Sequence, residues 1–83
     1  MKGARIMKSS QLTAIIRRLE AMQEGTDGEV QVRRFEKEGA ERCLITYDGK
    51  AGIYELEERA TGQVYQFDDI DIVAIEIFEL LQD

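Results

Sequence analysis

Gln63-Val64-Tyr65-Gln66-Phe67-Asp68-Asp69-Ile70-Asp71-Ile72-Val73-Ala74-Ile75-Glu76-Ile77-Phe78-Glu79-Leu80-Leu81-Gln82-Asp83 is the stretch where the hydrophobic period changes. From Gln63 to Phe67 side chains alternate, with Tyr65 and Phe67 on one face and Val64 and Gln66 on the other. After Asp68 and Asp69 the period becomes helical. At 100° per residue, Ile70, Val73, Ala74, Ile77, Phe78, Leu80 and Leu81 fill an arc of about 160°. An aspartate at the junction can cap free N–H groups and meets the positive end of the helix dipole. A strand that feeds directly into an amphipathic helix predicts an α+β chain.

Two residues do not fit that helix. Ile72 and Ile75 fall outside the apolar arc, among Asp71, Glu76 and Glu79. A helix with apolar residues on two sides needs two covers, so Ile72, Ile75 and Glu79 are the interface candidates.

Working towards the N-terminus, three more alternating runs precede this junction. Val30 and Val32 alternate, but Phe35 is out of step with them, which suggests a β-bulge near Arg33-Arg34. Cys43, Ile45 and Tyr47 share one face of the second run, and Tyr54 and Leu56 alternate with Glu55 and Glu57 in the third. Glu38-Gly39, Asp48-Gly49 and Thr61-Gly62 place glycine where a hairpin asks for positive φ. Glycine turns between consecutive runs predict an antiparallel meander, and the absence of proline leaves its ladders uninterrupted. Alternation does not decide which sheet face is buried, because Ile53 points opposite to Tyr54 and Leu56.

Before the strands, Ser9 or Ser10 can cap a helix whose Leu12, Ile15, Ile16, Leu19 and Met22 form one face. Thr13, Arg17, Glu20 and Glu24 lie opposite, Gly25 ends the helix, and Thr26-Asp27-Gly28 makes a turn. Residues 1–8 read as a flexible lead and 9–83 as a single domain. The expected architecture is a two-layer α+β fold, with an antiparallel three- to four-stranded meander and both terminal helices packed on one face.

Composition bounds the function. The chain has 83 residues, 43% hydrophobic and 34% charged, with a net charge of −6. That is one globular domain near the lower size limit for folding without staples. Residues 1–18 hold five bases and no acid, whereas residues 66–83 hold six acids and no base. Overall acidity argues against duplex DNA, which is bound by neutralising phosphates. Cys43 is the single cysteine, so no internal disulfide can form, and a reducing, cytoplasmic setting is expected. No apolar run is long enough to span a membrane, and the basic start lacks the apolar core of a signal peptide.

The residues Phe67 to Gln82, FDDIDIVAIEIFELLQ, resemble the C-terminal signature of the YkuJ-like family, small uncharacterised proteins of Gram-positive bacteria. Met7 to Leu19, MKSSQLTAIIRRL, is similar to that family's first helix. The resemblance runs over about residues 7–82 and implies two helices on one side of an antiparallel sheet. It implies no activity and brings no catalytic residues.

Each residue with chemical potential also has a plainer role. Asp68, Asp69 and Asp71 could gather magnesium, yet capping explains them and no calcium-loop pattern surrounds them. Cys43 has no histidine anywhere in the chain to activate it, so a buried inert thiol is expected. Glu55, Glu57 and Glu58 read as a solvated strand face. No catalytic residue, metal site or cofactor is expected. The leading expectation is a non-enzymatic module that forms a homodimer and binds an unidentified protein partner. The alternative is a binder of a small ligand or single-stranded nucleic acid, with Arg33, Arg34, Tyr47, Tyr54 and Tyr65 as its surface.

Overall fold

The computed structural model describes residues 9–25 and 30–82. The first helix, α1 (Ser9–Glu24), turns Ile15, Leu19 and Met22 inward, with Leu12 and Ile16 half-buried beside them. Thr13, Arg17, Glu20 and Glu24 are exposed, as the helical spacing predicts. The helix closes at Gly25, whose N–H donates to the Ala21 carbonyl at 2.9 Å. The expected lead over residues 1–8 and the turn at Thr26-Asp27-Gly28 lie outside the described residues.

Four strands follow: β1 (Val30–Lys37), β2 (Ala40–Asp48), β3 (Ile53–Glu58) and β4 (Val64–Phe67). They form one sheet in the order β1-β2-β3-β4, every neighbouring pair antiparallel. The final helix, α2 (Ile70–Leu80), completes an α+β fold.

Glu38 and Gly39 make the first turn with φ of 53° and 82°. Positive φ at both positions is the two-residue hairpin that matches the twist of its strands, and only its second residue escapes the Cβ penalty. The second turn corrects an expectation. Its left-handed residue is Gly52, at φ 69°, and not Gly49. The Asp48 carboxylate accepts from the Lys50 and Ala51 N–H groups at 3.0 and 3.4 Å, and Gly52 N–H closes onto the Asp48 carbonyl at 2.8 Å. That folding of the loop around Asp48 shifts the demand for positive φ three residues on from Gly49.

The bulge also lies elsewhere than expected. Arg33 and Arg34 pair in regular register with Ile45 and Leu44. The slip occurs where Phe35 faces Cys43 but Glu36 faces Glu41, leaving Arg42 as the extra residue on β2. Val30 and Val32 mimicked an inward phase although they belong to the outer set and are exposed.

The core collects Ile15, Leu19 and Met22 from α1 with Val73, Ala74, Ile77 and Phe78 from α2. The strands contribute Phe35, Cys43, Ile45, Tyr47, Tyr54 and Leu56, which are alternate positions across the register. This settles which sheet residues are buried: the Tyr54 and Leu56 set enters the core, while Ile53 stays half-buried outside it. Close packing makes each large member costly to truncate, about 2–5 kcal/mol for a change such as Leu19→Ala.

Candidate interaction surfaces

The α2 surface begins at its cap. Asp69 adopts extended φ/ψ of −119° and 119°, and its carboxylate accepts the Asp71 N–H at 2.8 Å. The aspartate cluster therefore includes a working N-cap, with Asp68 and Asp71 exposed beside it. The other end has no basic residue in its last turn. Arg42 supplies the missing cation from β2: its Nη1 donates to the Leu80 carbonyl at 3.0 Å and reaches the Gln82 carbonyl at 3.5 Å. The bulge frees Arg42 from strict strand alternation and lets it cap the negative end of the helix. Sequence reasoning missed this role. The available signal was a helix of six acidic neighbours without a base of its own.

Away from the buried face, Ile72 is 48% exposed, Ile75 37% exposed, and Glu79 is exposed. The three fall at i, i+3 and i+7, one outward stripe of α2. All three interface candidates therefore share a surface, bordered by Asp71 and the half-buried Glu76.

The candidates for a ligand surface are not brought together. Tyr54 is 1% exposed and Tyr47 8% exposed, so neither offers a ring face to a stacked base. Their rings pack at 4.5 Å between centroids, and the Tyr54 hydroxyl donates to the Leu19 carbonyl at 2.8 Å. Burial, with the Tyr47 hydroxyl nearby, pushes the Tyr54 phenol up to about 12. The expected aromatic surface is thereby corrected: Tyr54 fastens α1 to the sheet, with Tyr47 packed against its ring. Tyr65 is exposed, with its hydroxyl donating to Gln63 Oε1. Arg33 is half-buried and donates to the Val32 carbonyl at 3.0 Å, whereas Arg34 lies on the alternate face and pairs with Glu41 at 3.5 Å.

Glu41 in turn meets Arg59 at 3.2 Å, and Arg59 meets Glu57 at 3.2 Å. Arg18 is also engaged, lying 4.2 Å above the Phe35 ring and donating to the Arg34 carbonyl at 3.2 Å. The outer sheet residues line a shallow cleft of about 410 Å³ with Val30, Thr46, Asp48, Ala51, Ile53, Glu55 and Gln66. Its ionisable lining is acidic, Asp48 and Glu55, which suits no phosphate-bearing ligand. Cys43 is fully buried, and burial with Glu41 and Glu58 nearby raises its thiol to about 12. Such a thiol is protonated and sealed from solvent, the reverse of a nucleophile. Among the described residues, no helix is long and apolar enough to cross a membrane.

Known proteins share this architecture. The chain is 44% identical over 78 residues to the uncharacterized protein YkuJ of Bacillus subtilis (strain 168), covering 88% of this chain and 99% of that protein. It is also similar to the crystal structure of the Bacillus subtilis YkuJ protein, with a TM-score of 0.80 and 42% identity over 86% of this chain and 96% of that one. Residues 15–81 match the family described as protein of unknown function (DUF1797). The resemblance first visible in the Asp68-Asp69 helix is thus one of descent across the whole fold, and the chain belongs to the YkuJ-like, DUF1797 family.

Proposed function

We propose that the chain is a non-enzymatic, cytosolic protein-interaction module that self-associates as a dimer and also binds another protein. One observation carries the reading: Ile72 and Ile75 stand in water on the outer stripe of a helix whose opposite face is already buried. Covering a half-exposed isoleucine contributes about 1 kcal/mol, so the four isoleucines of a symmetric pair contribute about 4 kcal/mol. A micromolar dimer needs about 8 kcal/mol, so this stripe is part of the contact surface and not all of it. The absence of an enzymatic role agrees with Cys43 being buried and protonated and with Asp69 being spent as a cap. The rival reading, a ligand or single-stranded nucleic acid on the tyrosine and arginine side, is weakened by the burial of Tyr47 and Tyr54.

Light scattering over a hundredfold concentration range tests the proposal. The expected mass is near twice the 9.5 kDa of the chain, falling towards one chain for Ile75→Glu. A monomer at every concentration refutes self-association. An Ile75→Glu protein with unchanged mass and stability removes α2 from the interface.

A further inference from the structure

The sheet has two edges, and they differ. β1 carries Arg33, Arg34, Glu36 and Lys37, the charged side chains that keep an edge strand from pairing. β4, Val64-Tyr65-Gln66-Phe67, carries no charge, and Val64 and Tyr65 are 52% and 41% exposed. An uncharged edge on a chain of net charge −6 is the place where a second copy meets least repulsion.

The backbone of that edge is self-complementary. The Glu58 N–H donates to the Gln63 carbonyl at 2.8 Å, so Glu58 and Gln63 form a hydrogen-bonded pair of the antiparallel ladder. Alternation along the register then makes Leu56 with Tyr65 and Tyr54 with Phe67 hydrogen-bonded pairs too. Tyr65 and Phe67 thus spend their N–H and C=O groups on β3, while Val64 and Gln66 aim theirs away from the sheet. Two outward residues spaced by one position are what an antiparallel copy of the same strand requires.

We propose that two chains join β4 to β4 about a two-fold axis at Tyr65, extending the four-stranded sheet into one of eight strands. Val64 of each copy pairs with Gln66 of the other, which uses every outward group of the strand in four hydrogen bonds. The two Tyr65 residues meet across the axis as a non-hydrogen-bonded pair, with Cα atoms about 4.5 Å apart. β4 runs into α2 through Asp68 and Asp69 alone, so each α2 helix begins within two residues of a paired strand. This inference rests on the self-association proposed above and specifies its geometry.

Gln66→Pro is the discriminating variant. It removes an outward N–H while leaving the bonds between β3 and β4 intact, as proline on the open side of an edge strand does. With two of the four bonds lost, the dimer dissociation constant rises about thirtyfold by sedimentation equilibrium, while circular dichroism still reports the folded chain. A second variant, Tyr65→Cys, keeps the test decisive if proline disturbs folding. Cα atoms at that separation fall within disulfide range, so mild oxidation links the protomers quantitatively. The buried Cys43 stays out of the reaction.

A wild-type chain that is monomeric throughout refutes self-association as a whole. A wild-type dimer that neither weakens in a folded Gln66→Pro variant nor crosslinks through Tyr65→Cys refutes only the β4 axis. Dimer weakening without the crosslink overturns the axis at Tyr65.

Discussion

Replacing Arg42 by methionine keeps the aliphatic stem and removes the guanidinium from the end of α2. The wild-type group donates to the Leu80 carbonyl at 3.0 Å and lies 3.5 Å from that of Gln82, so one bond is well formed and the second is marginal. A hydrogen bond from a charged donor contributes about 1.5–3 kcal/mol when well shielded. Arg42 is only half-buried, which brings the figure down. Favourable alignment with the helix dipole adds about 0.3–1 kcal/mol. The expected destabilisation is about 1–2 kcal/mol, or a drop of about 5–12 °C in melting temperature for a domain this small. Urea unfolding at low salt and again in 1 M sodium chloride separates the charge from the packing, because salt screens the dipole contribution. Arg42→Lys should recover part of the loss in low salt. A methionine variant within about 0.3 kcal/mol of wild type at both salt concentrations would refute the claim that Arg42 caps α2.

Three further outcomes check the local readings. Asp69→Ala should cost about 1 kcal/mol in urea unfolding through loss of the N-cap, with Asp68→Ala costing clearly less; equal losses would reassign the cap. Gly52→Ala should cost about 1 kcal/mol because a Cβ is strained at φ 69°, while Gly49→Ala should be nearly neutral, and the reverse order would restore the turn expected from sequence. Cys43 and Tyr54 are both held protonated in the folded chain, from ordinary values of 9.0 and 10.0 up to about 12. The unfolded chain releases those protons first, so their stability contribution is complete below about pH 9 and declines as pH rises towards 12. Urea midpoints at pH 8, 9.5 and 10.5 should fall in that order, and a midpoint flat across the range would contradict the burial of both groups.

The helices were legible because their periodicity extends over whole elements. Leu12 to Met22 and Ile70 to Leu81 each repeat the helical spacing often enough to outweigh any single residue, and the acidic junction marked the start of α2 to within one position. The meander was legible for a related reason, since short glycine turns leave neighbouring strands no partner but each other. What escaped was set by particular contacts that no periodicity records, distant in sequence for the strands and local for the second turn. Val30 and Val32 have the composition of inward residues, and only the register with Thr46 and Asp48 reveals that they face outward. Gly49 and Gly52 are equally good turn residues, and the choice falls to the Asp48 side chain organising the loop between them.

The tyrosines show the same limit at the candidate site. Alternation put Tyr47 and Tyr54 on the face of Cys43 and Leu56, but whether that face is core or platform depends on what lies above it. The Leu19 carbonyl answers by accepting the Tyr54 hydroxyl, which lets a polar tip enter the core without an unsatisfied group. Tyr65 shares the alternation of that set and stays exposed, because β4 has a neighbour on one side only. Position in the strand order thus divides chemically identical side chains into fasteners and surface. By that reasoning the edge of β4 was within reach of the sequence: a meander makes its last strand an edge, and Val64 to Phe67 is the strand without a charge to guard it. Ile72 and Ile75 follow within ten residues of it, so the unguarded edge and the unsatisfied helix stripe are supplied by one continuous segment. Under the self-association proposed above, a symmetric contact that covered both would add apolar burial that a single chain of this size lacks.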